Sequence, residues 1–354
     1  MRIIKKLSYL LSAAIFFSFI SLIILKPDIC RDGAINGILI CGRIIIPSLF
    51  PFTVCVVLLL KSGVLSKLTF ASPVFRFLFG ISAEQFAVVL LSFIGGYPIG
   101  AKLIDQCVSQ KNVSKKNAGI MLNYCVNAGP AFIIGAVGVG FLSNKSIGYV
   151  LFFSHIFASI VLCFISRFFI DGNNINTKIN TKSIPLTDNF TQSTAEAAST
   201  LFNISAFVIL FSTINSYITY FSAKYPILKN ILYISEVTNG ISHTNNIYLI
   251  SFILGFGGIC VWCQIFSCVR NLKINYFMFI LSRLFHGFLS IIFTKLLLNI
   301  TKTSAPVFSA GKVQGYAMLY STPALTISMI SLIIIFLISI SNKKYVSKIL
   351  EDIL

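Results

Sequence analysis

The chain alternates long apolar runs with short polar interruptions, and the interruptions carry most of the information. Leu7–Leu25 is uncharged and largely apolar, behind Arg2, Lys5 and Lys6 and ahead of Lys26-Pro27-Asp28. It is longer than a signal-peptide core, which predicts an uncleaved first membrane helix with a cytoplasmic N-terminus. Ala34–Leu60 follows, interrupted by Arg43 and by PSLFP at 47–51, and reads as one broken span or two half-length ones. Residues 61–85 carry Lys61, Lys67, Arg76 and Glu84 and look partly interfacial. Phe86–Ile94 is too short to cross about 30 Å of hydrocarbon, which takes roughly 20 residues. It runs into Gly95, Gly96, Pro98 and Gly100, and Lys102–Lys116 then holds four lysines and one aspartate. A short apolar rise, a Gly/Pro tip and a charged return predict a re-entrant hairpin.

Residues 117–142 form a span interrupted by Asn123, Asn127, Gly129 and Pro130, and Ile147–Ile170 a cleaner one with His155 and Arg167. The polar, Asn/Thr-rich stretch Asp171–Ser199 reads as a linker between two halves. Leu201–Phe221 is again apolar, 222–246 is mixed and contains Glu236 and His243, and IYLISFILGFGGI at 247–259 ends in Gly255, Gly257 and Gly258. Residues 275–298 and Ala324–Ile340 are the last expected spans. The resulting division is an N-terminal membrane helix (1–33), a first repeat with a connecting helix (34–170), the linker (171–199), a second repeat (200–298) and a C-terminal helix with a basic tail (299–354).

Composition agrees with this pattern. Of 354 residues, 56% are hydrophobic and 11% charged, against about a quarter charged in soluble proteins. The chain is therefore expected to be an all-α polytopic membrane protein in the lipid bilayer. Its net charge of +18 is spread over loops and termini without aromatic interleaving. That distribution fits the positive-inside bias of cytoplasmic loops and argues against nucleic-acid binding. The nine cysteines are scattered through apolar segments, as free thiols in a reducing compartment would be. Cys260-Val-Trp-Cys263 is a lone CxxC without a second pair.

The two glycine clusters overlay at a shift of 159 residues, where Ser92, Phe93, Ile94, Gly96 and Asn112 meet Ser251, Phe252, Ile253, Gly255 and Asn271. Short Gly/Pro-interrupted segments in corresponding places point to a secondary-transporter binding site. Counting spans from a cytoplasmic N-terminus, the first hairpin enters from inside and the second from outside, an inverted repeat. The same count places Lys343, Lys344 and Lys348 outside, against the charge bias, and so indicates a miscounted span within 34–60 or 222–246.

A helix broken inside the membrane leaves up to four unpaired amides with about half a positive charge at its new N-terminus. Glycine lets a ligand approach them. The candidate substrate-binding residues are accordingly Gly95, Gly96, Tyr97, Gly100, Lys102, Asn123, Asn127, Gly257, Gly258 and Gln264. The opposing reading is that these glycines serve close helix packing. Asn123 and Asn127, four apart, would share a helix face and bond either substrate or broken backbone. Glu236 is the coupling candidate, because intramembrane carboxylates are expensive to bury. Lys102 and Arg283 would attract an anion or snorkel to headgroups. No histidine has metal spacing, no catalytic triad or Walker loop is present, and the pattern calls for no cofactor or metal and for no enzymatic activity.

The segments PSLFPF (47–52), GGYPIGAK (95–102), NAGPAFIIGAVG (127–138), SEVTNG (235–240) and GFGGICVWCQ (255–264), in this order, resemble the YlbJ-type sporulation integral membrane proteins of the nucleoside-recognition, or Gate, domain superfamily. The resemblance covers roughly residues 35–295. It implies two Gate-like repeats with re-entrant hairpins and broken helices, like those of concentrative nucleoside transporters. It also implies a role in sporulation: transport of a small anionic metabolite, dipicolinic acid first, across the outer forespore membrane for the spore cortex. A nucleoside carrier and a non-transporting scaffold for spore-envelope assembly are the alternative expectations. A homo-oligomer or other sporulation membrane proteins are the expected partners.

Overall fold

The computed structural model describes residues 2–61, 72–109, 111, 113–170 and 186–301. The described residues are helical and contain no strand. The expected final span, Ala324–Ile340, and the lysine-rich tail lie outside them.

Helix α1 (Arg2–Leu25) leads into α2 (Pro27–Ile40), a π-turn (Cys41–Ile45) and α3 (Ile46–Lys61). The interrupted stretch is thus one long element, with Pro51 inside α3. It packs antiparallel on α9 (Leu186–Ser222). Tyr217 Oη donates to the Leu22 and Lys26 carbonyls at one end, and Lys61 pairs with Glu196 at 2.6 Å at the other. Glycine permits this contact, since a Cβ at Gly37 would stand 2.6 Å from Ile209 Cα. Residues 186–199, expected in the linker, form the first turns of α9.

After the short α4 (Ser72–Phe79), α5 (Ala83–Gly95) and α6 (Ile99–Ser109) fold back on one another as the first hairpin. A capping box starts α5: Gln85 N–H donates to Ser82 Oγ at 3.2 Å, and Ser82 N–H to Gln85 Oε1 at 3.0 Å. Next, α7 (Lys115–Cys125) breaks at Val126–Pro130 and resumes as a π-helix (Ala131–Phe141). Both pieces lie antiparallel along α8 (Lys145–Ser166), with Gly138 against Gly148 and Asn127 against Ser159. They therefore form one broken crossing.

The second half departs from the sequence reading. Helices α12 (Ile247–Phe256) and α13 (Gly258–Cys268) do not fold back on each other. Helix α12 runs antiparallel along α14 (Tyr276–Thr301), with Ser251 bonded to Thr294 and Gly255 against Gly287, and α13 continues toward the start of α14, where Trp262 meets Phe279 and Phe266 meets Tyr276. The glycine cluster is a break in a 22-residue crossing, not a hairpin tip. The second hairpin is formed by α10 (Lys229–Ser235) and α11 (Val237–Ser242), where Tyr233 Oη donates back to the His243 carbonyl. Each half therefore runs in the order hairpin, broken crossing, straight crossing. The miscounted span is 247–268, outside both segments that the charge bias had pointed to.

Among the described residues, five helical segments are long and apolar enough to cross a membrane: Pro27–Leu59, Lys145–Phe169, Asn189–Ser222, Ile247–Cys268 and Tyr276–Thr301. Chain direction through them opens the first hairpin to the end that gathers Lys111, Lys115, Lys116, Arg167, Arg270 and Lys273. The second hairpin opens to the end holding Lys26, Arg31, Lys145, Lys224 and Lys229, with Asp28 and Asp32 beside Arg31. The richer end is the cytoplasmic one by the charge bias.

Candidate functional site: a hairpin tip seated on a broken helix

The first tip rests on the α7 break. Gly96 caps α5 at φ +70°, a conformation that disfavours any side chain, and a Cβ there would lie 2.6 Å from the Gly129 nitrogen. Gly100 allows α6 to reach the Cys125 carbonyl, with Ser92 Cβ 2.7 Å from where its own Cβ would be. The Tyr97 amide then donates to the Asn127 carbonyl at 2.7 Å. Both readings of these glycines hold at once, because the close packing they permit is the packing of tip on break. Tyr97 tilts against Phe132, and its hydroxyl is buried without a partner among the described residues.

The break frees carbonyls at the end of α7, and Arg283 answers them. From α14, its guanidinium donates to the carbonyls of Asn123 and Val126, while its plane stands 5.8 Å from the Phe279 ring. Arg283 is 1% exposed and has no carboxylate partner among the described residues. Its charge is held by the negative end of a helix. Asn127 turns its amide to the Tyr124 carbonyl at 2.7 Å and accepts from Ser159, which also meets His286 Nε2 at 3.3 Å. His286 stacks edge-on against His155 at 5.1 Å, both fully buried. The amides of Ala128 and Gly129 bond to no described residue, so the break presents donors beside a buried cation. Sequence reasoning named Arg283 only as a possible anion attractor and missed His155, Ser159 and His286, whose partners are far away in the chain.

In the second half, Glu236 sits at the hairpin turn, 3% exposed. Its carboxylate accepts the amides of Thr238 at 3.0 Å and Asn239 at 2.8 Å, the Thr238 hydroxyl and the Asn239 side chain. It is the N-cap of α11. The break at Gly257 (φ +82°) and Gly258 (φ +69°) faces this turn: a Cβ at Gly258 would stand 3.3 Å from the Ile234 carbonyl. Glu236 also lies close enough to Tyr97 and Cys260 to interact electrostatically with both.

The structure thus unites Gly95, Gly96, Tyr97, Gly100 and Asn127 at one break, and Glu236, Gly257 and Gly258 at the other. Of the other three, Lys102 and Gln264 turn to other partners, and Asn123 reaches the first break only through its carbonyl, which Arg283 holds. Lys102 turns to α9 and donates to Thr200 Oγ1 at 2.7 Å. Gln264 is buried and donates to Cys260 Sγ at 3.4 Å. Asn123 and Asn127 do not share a helix face, since α7 ends at Cys125, and the Asn123 residue borders a separate cavity near the basic end. Among the described residues no group of His, Cys, Asp or Glu could hold a metal.

Fold and site define an integral membrane protein, all-α and polytopic, with hairpins and broken crossings packed tip to break. The chain is similar to the sporulation integral membrane protein YlbJ of Bacillus subtilis (strain 168), 23% identical over 343 aligned residues that cover 83% of this chain and 84% of the relative. Similarity across that share of both chains supports the YlbJ-type family indicated by the five motifs. No family model matches the chain, and no solved structure matches it.

Proposed function

We propose that the protein is a carrier of a small anionic metabolite, dipicolinate foremost, acting during sporulation in the outer forespore membrane. The observation that supports this reading is the first tip and the α7 break. They are packed face to face inside the membrane, beside an arginine without a carboxylate partner and two amides without acceptors among the described residues. Non-helical backbone survives at membrane depth only inside protein or beside a water-filled cavity, and amides with a fixed cation suit a carboxylate. Tyr97 offers a ring and a free hydroxyl to an aromatic dicarboxylate. Two halves that repeat the order of elements with opposite sense are the architecture of alternating access, in which one unit moves past the other around a central site.

The test is uptake of labelled dipicolinate by liposomes holding the purified protein, with uridine as competitor. Protein-dependent uptake that Gly96→Leu abolishes is expected, since Leu cannot share the space of the Gly129 backbone. Uridine uptake in its place would make this a nucleoside carrier. Absence of both, with folded protein, would leave the envelope scaffold as the better reading.

A further inference from the structure

A row of buried polar groups leads away from the first break, through the space between α8, α12 and α14. On α14, Arg283, His286, Ser290 and Thr294 are fully buried and recur every three or four residues. They share one face over about 17 Å of helix. Ser154, His155 and Ser159 of α8 and Ser251 of α12 are buried as well. Interhelical hydrogen bonds account for Ser251 with Thr294, at 2.8 Å, and for Ser159 with Asn127. They do not account for His155. Its ring lies against the Ser251 backbone, yet neither ring nitrogen makes a hydrogen bond among the described residues.

The two histidines differ in what they can accept. Arg283 Nη1 stands 3.3 Å from His286 Nδ1, and a guanidinium only donates. Nδ1 of His286 is therefore the acceptor, and the ring hydrogen lies on Nε2, which faces the His155 carbonyl at 3.2 Å and Ser159 Oγ at 3.3 Å. Both ends of His286 are taken. His155, edge-on to it at 5.1 Å, keeps a nitrogen with a free lone pair. The charged and titratable groups around the pair are Arg283 on α14, Tyr124 and Cys125 at the end of α7, and Cys163 two turns along α8. No carboxylate is among them. A proton on His155 would thus set a second positive charge near Arg283 in a low dielectric, where it is held only if an anion enters too.

We propose that His155 is a proton-binding site filled together with the anion beside Arg283, so that one proton enters with each anion. The inference rests on the carrier reading. The proton adds to the free ring nitrogen, no other bond changes, and Arg283 with the imidazolium offsets the two charges of a dicarboxylate. Ser290, whose hydroxyl is unpartnered among the described residues, and Thr294 carry the row toward the end opposite the basic one. They mark the side from which the proton comes.

The chain has three histidines, and His243→Gln, at an exposed position, leaves only the pair. Nitrogen NMR of this variant, histidine-labelled and in lipid bilayers near neutral pH, reads each ring directly. Without ligand both rings should be neutral, one of them fixed with its hydrogen on Nε2. Saturating dipicolinate should convert one ring to imidazolium, and His155→Gln should remove that signal. Calorimetry should show dipicolinate affinity falling about tenfold per unit of rising pH, a slope that His155→Gln flattens. Bound dipicolinate with both rings still neutral would overturn the proposal and leave the carrier standing. So would an imidazolium that persists in His155→Gln. Absence of dipicolinate binding at any pH would count against the carrier reading itself, and the proton site would fall with it.

Discussion

Arg283 shows how a single side chain makes a broken helix tolerable in hydrocarbon. Its donors satisfy two carbonyls that the α7 break sets free, and an orphaned buried acceptor costs about 1–3 kcal/mol. Arg283→Met should therefore lower stability by about 3 kcal/mol, read as a fall in the thermal unfolding midpoint in detergent. Arg283→Lys should recover only part of it, because a compact ammonium cannot reach two carbonyls as a planar fork does. Glu236 is the acidic counterpart, a carboxylate engaged by four donors at the turn of the second hairpin. Removing its cap with Glu236→Ala should cost about 1 kcal/mol, and Glu236→Gln should lose less. If Glu236→Gln unfolds like the wild type and still transports, the residue acts by holding the turn. Lost flux at unchanged stability would make it a coupling group.

At the level of elements, the first hairpin was legible because its tip carries Gly95, Gly96 and Pro98 and its exit is charged. The second was not. Helices α10 and α11 span 7 and 6 residues, too short for a hydropathy signal, and their turn is made by Glu236 without glycine or proline. The cluster at Gly255–Gly258 has the composition of a tip, yet its glycines do two other things: Gly255 lets α12 touch Gly287, and Gly257 ends α12 in a left-handed turn. Composition alone does not distinguish a kinked crossing from a hairpin, because both need a residue that tolerates a broken ladder. Arg283 was seen in the sequence but its role was not, since its partners are carbonyls 157 and 160 positions away. The arrangement has a direct check. In a background with the other cysteines replaced, a cysteine at His243 and the native Cys268 should react with an impermeant thiol reagent from opposite faces of the membrane. Reaction from the same face would restore the hairpin at Gly257.

For the whole molecule, the two hairpins open to opposite ends, and the end of the first is the richer in basic residues. Reporters inserted at Lys111 and at Lys273 should read cytoplasmic, and one at Lys224 should read the opposite face. The two hairpins then enter from different sides, with tip and break packed at the first and turn facing break at the second. Under the proposed function, such a molecule exposes one site alternately to either side. Counterflow tests this most directly. Liposomes holding the protein and preloaded with unlabelled dipicolinate should show a transient overshoot of labelled dipicolinate, absent with Gly96→Leu and with empty liposomes. Uptake that only rises to equilibrium, with no overshoot on preloading, would contradict a carrier built on alternating access.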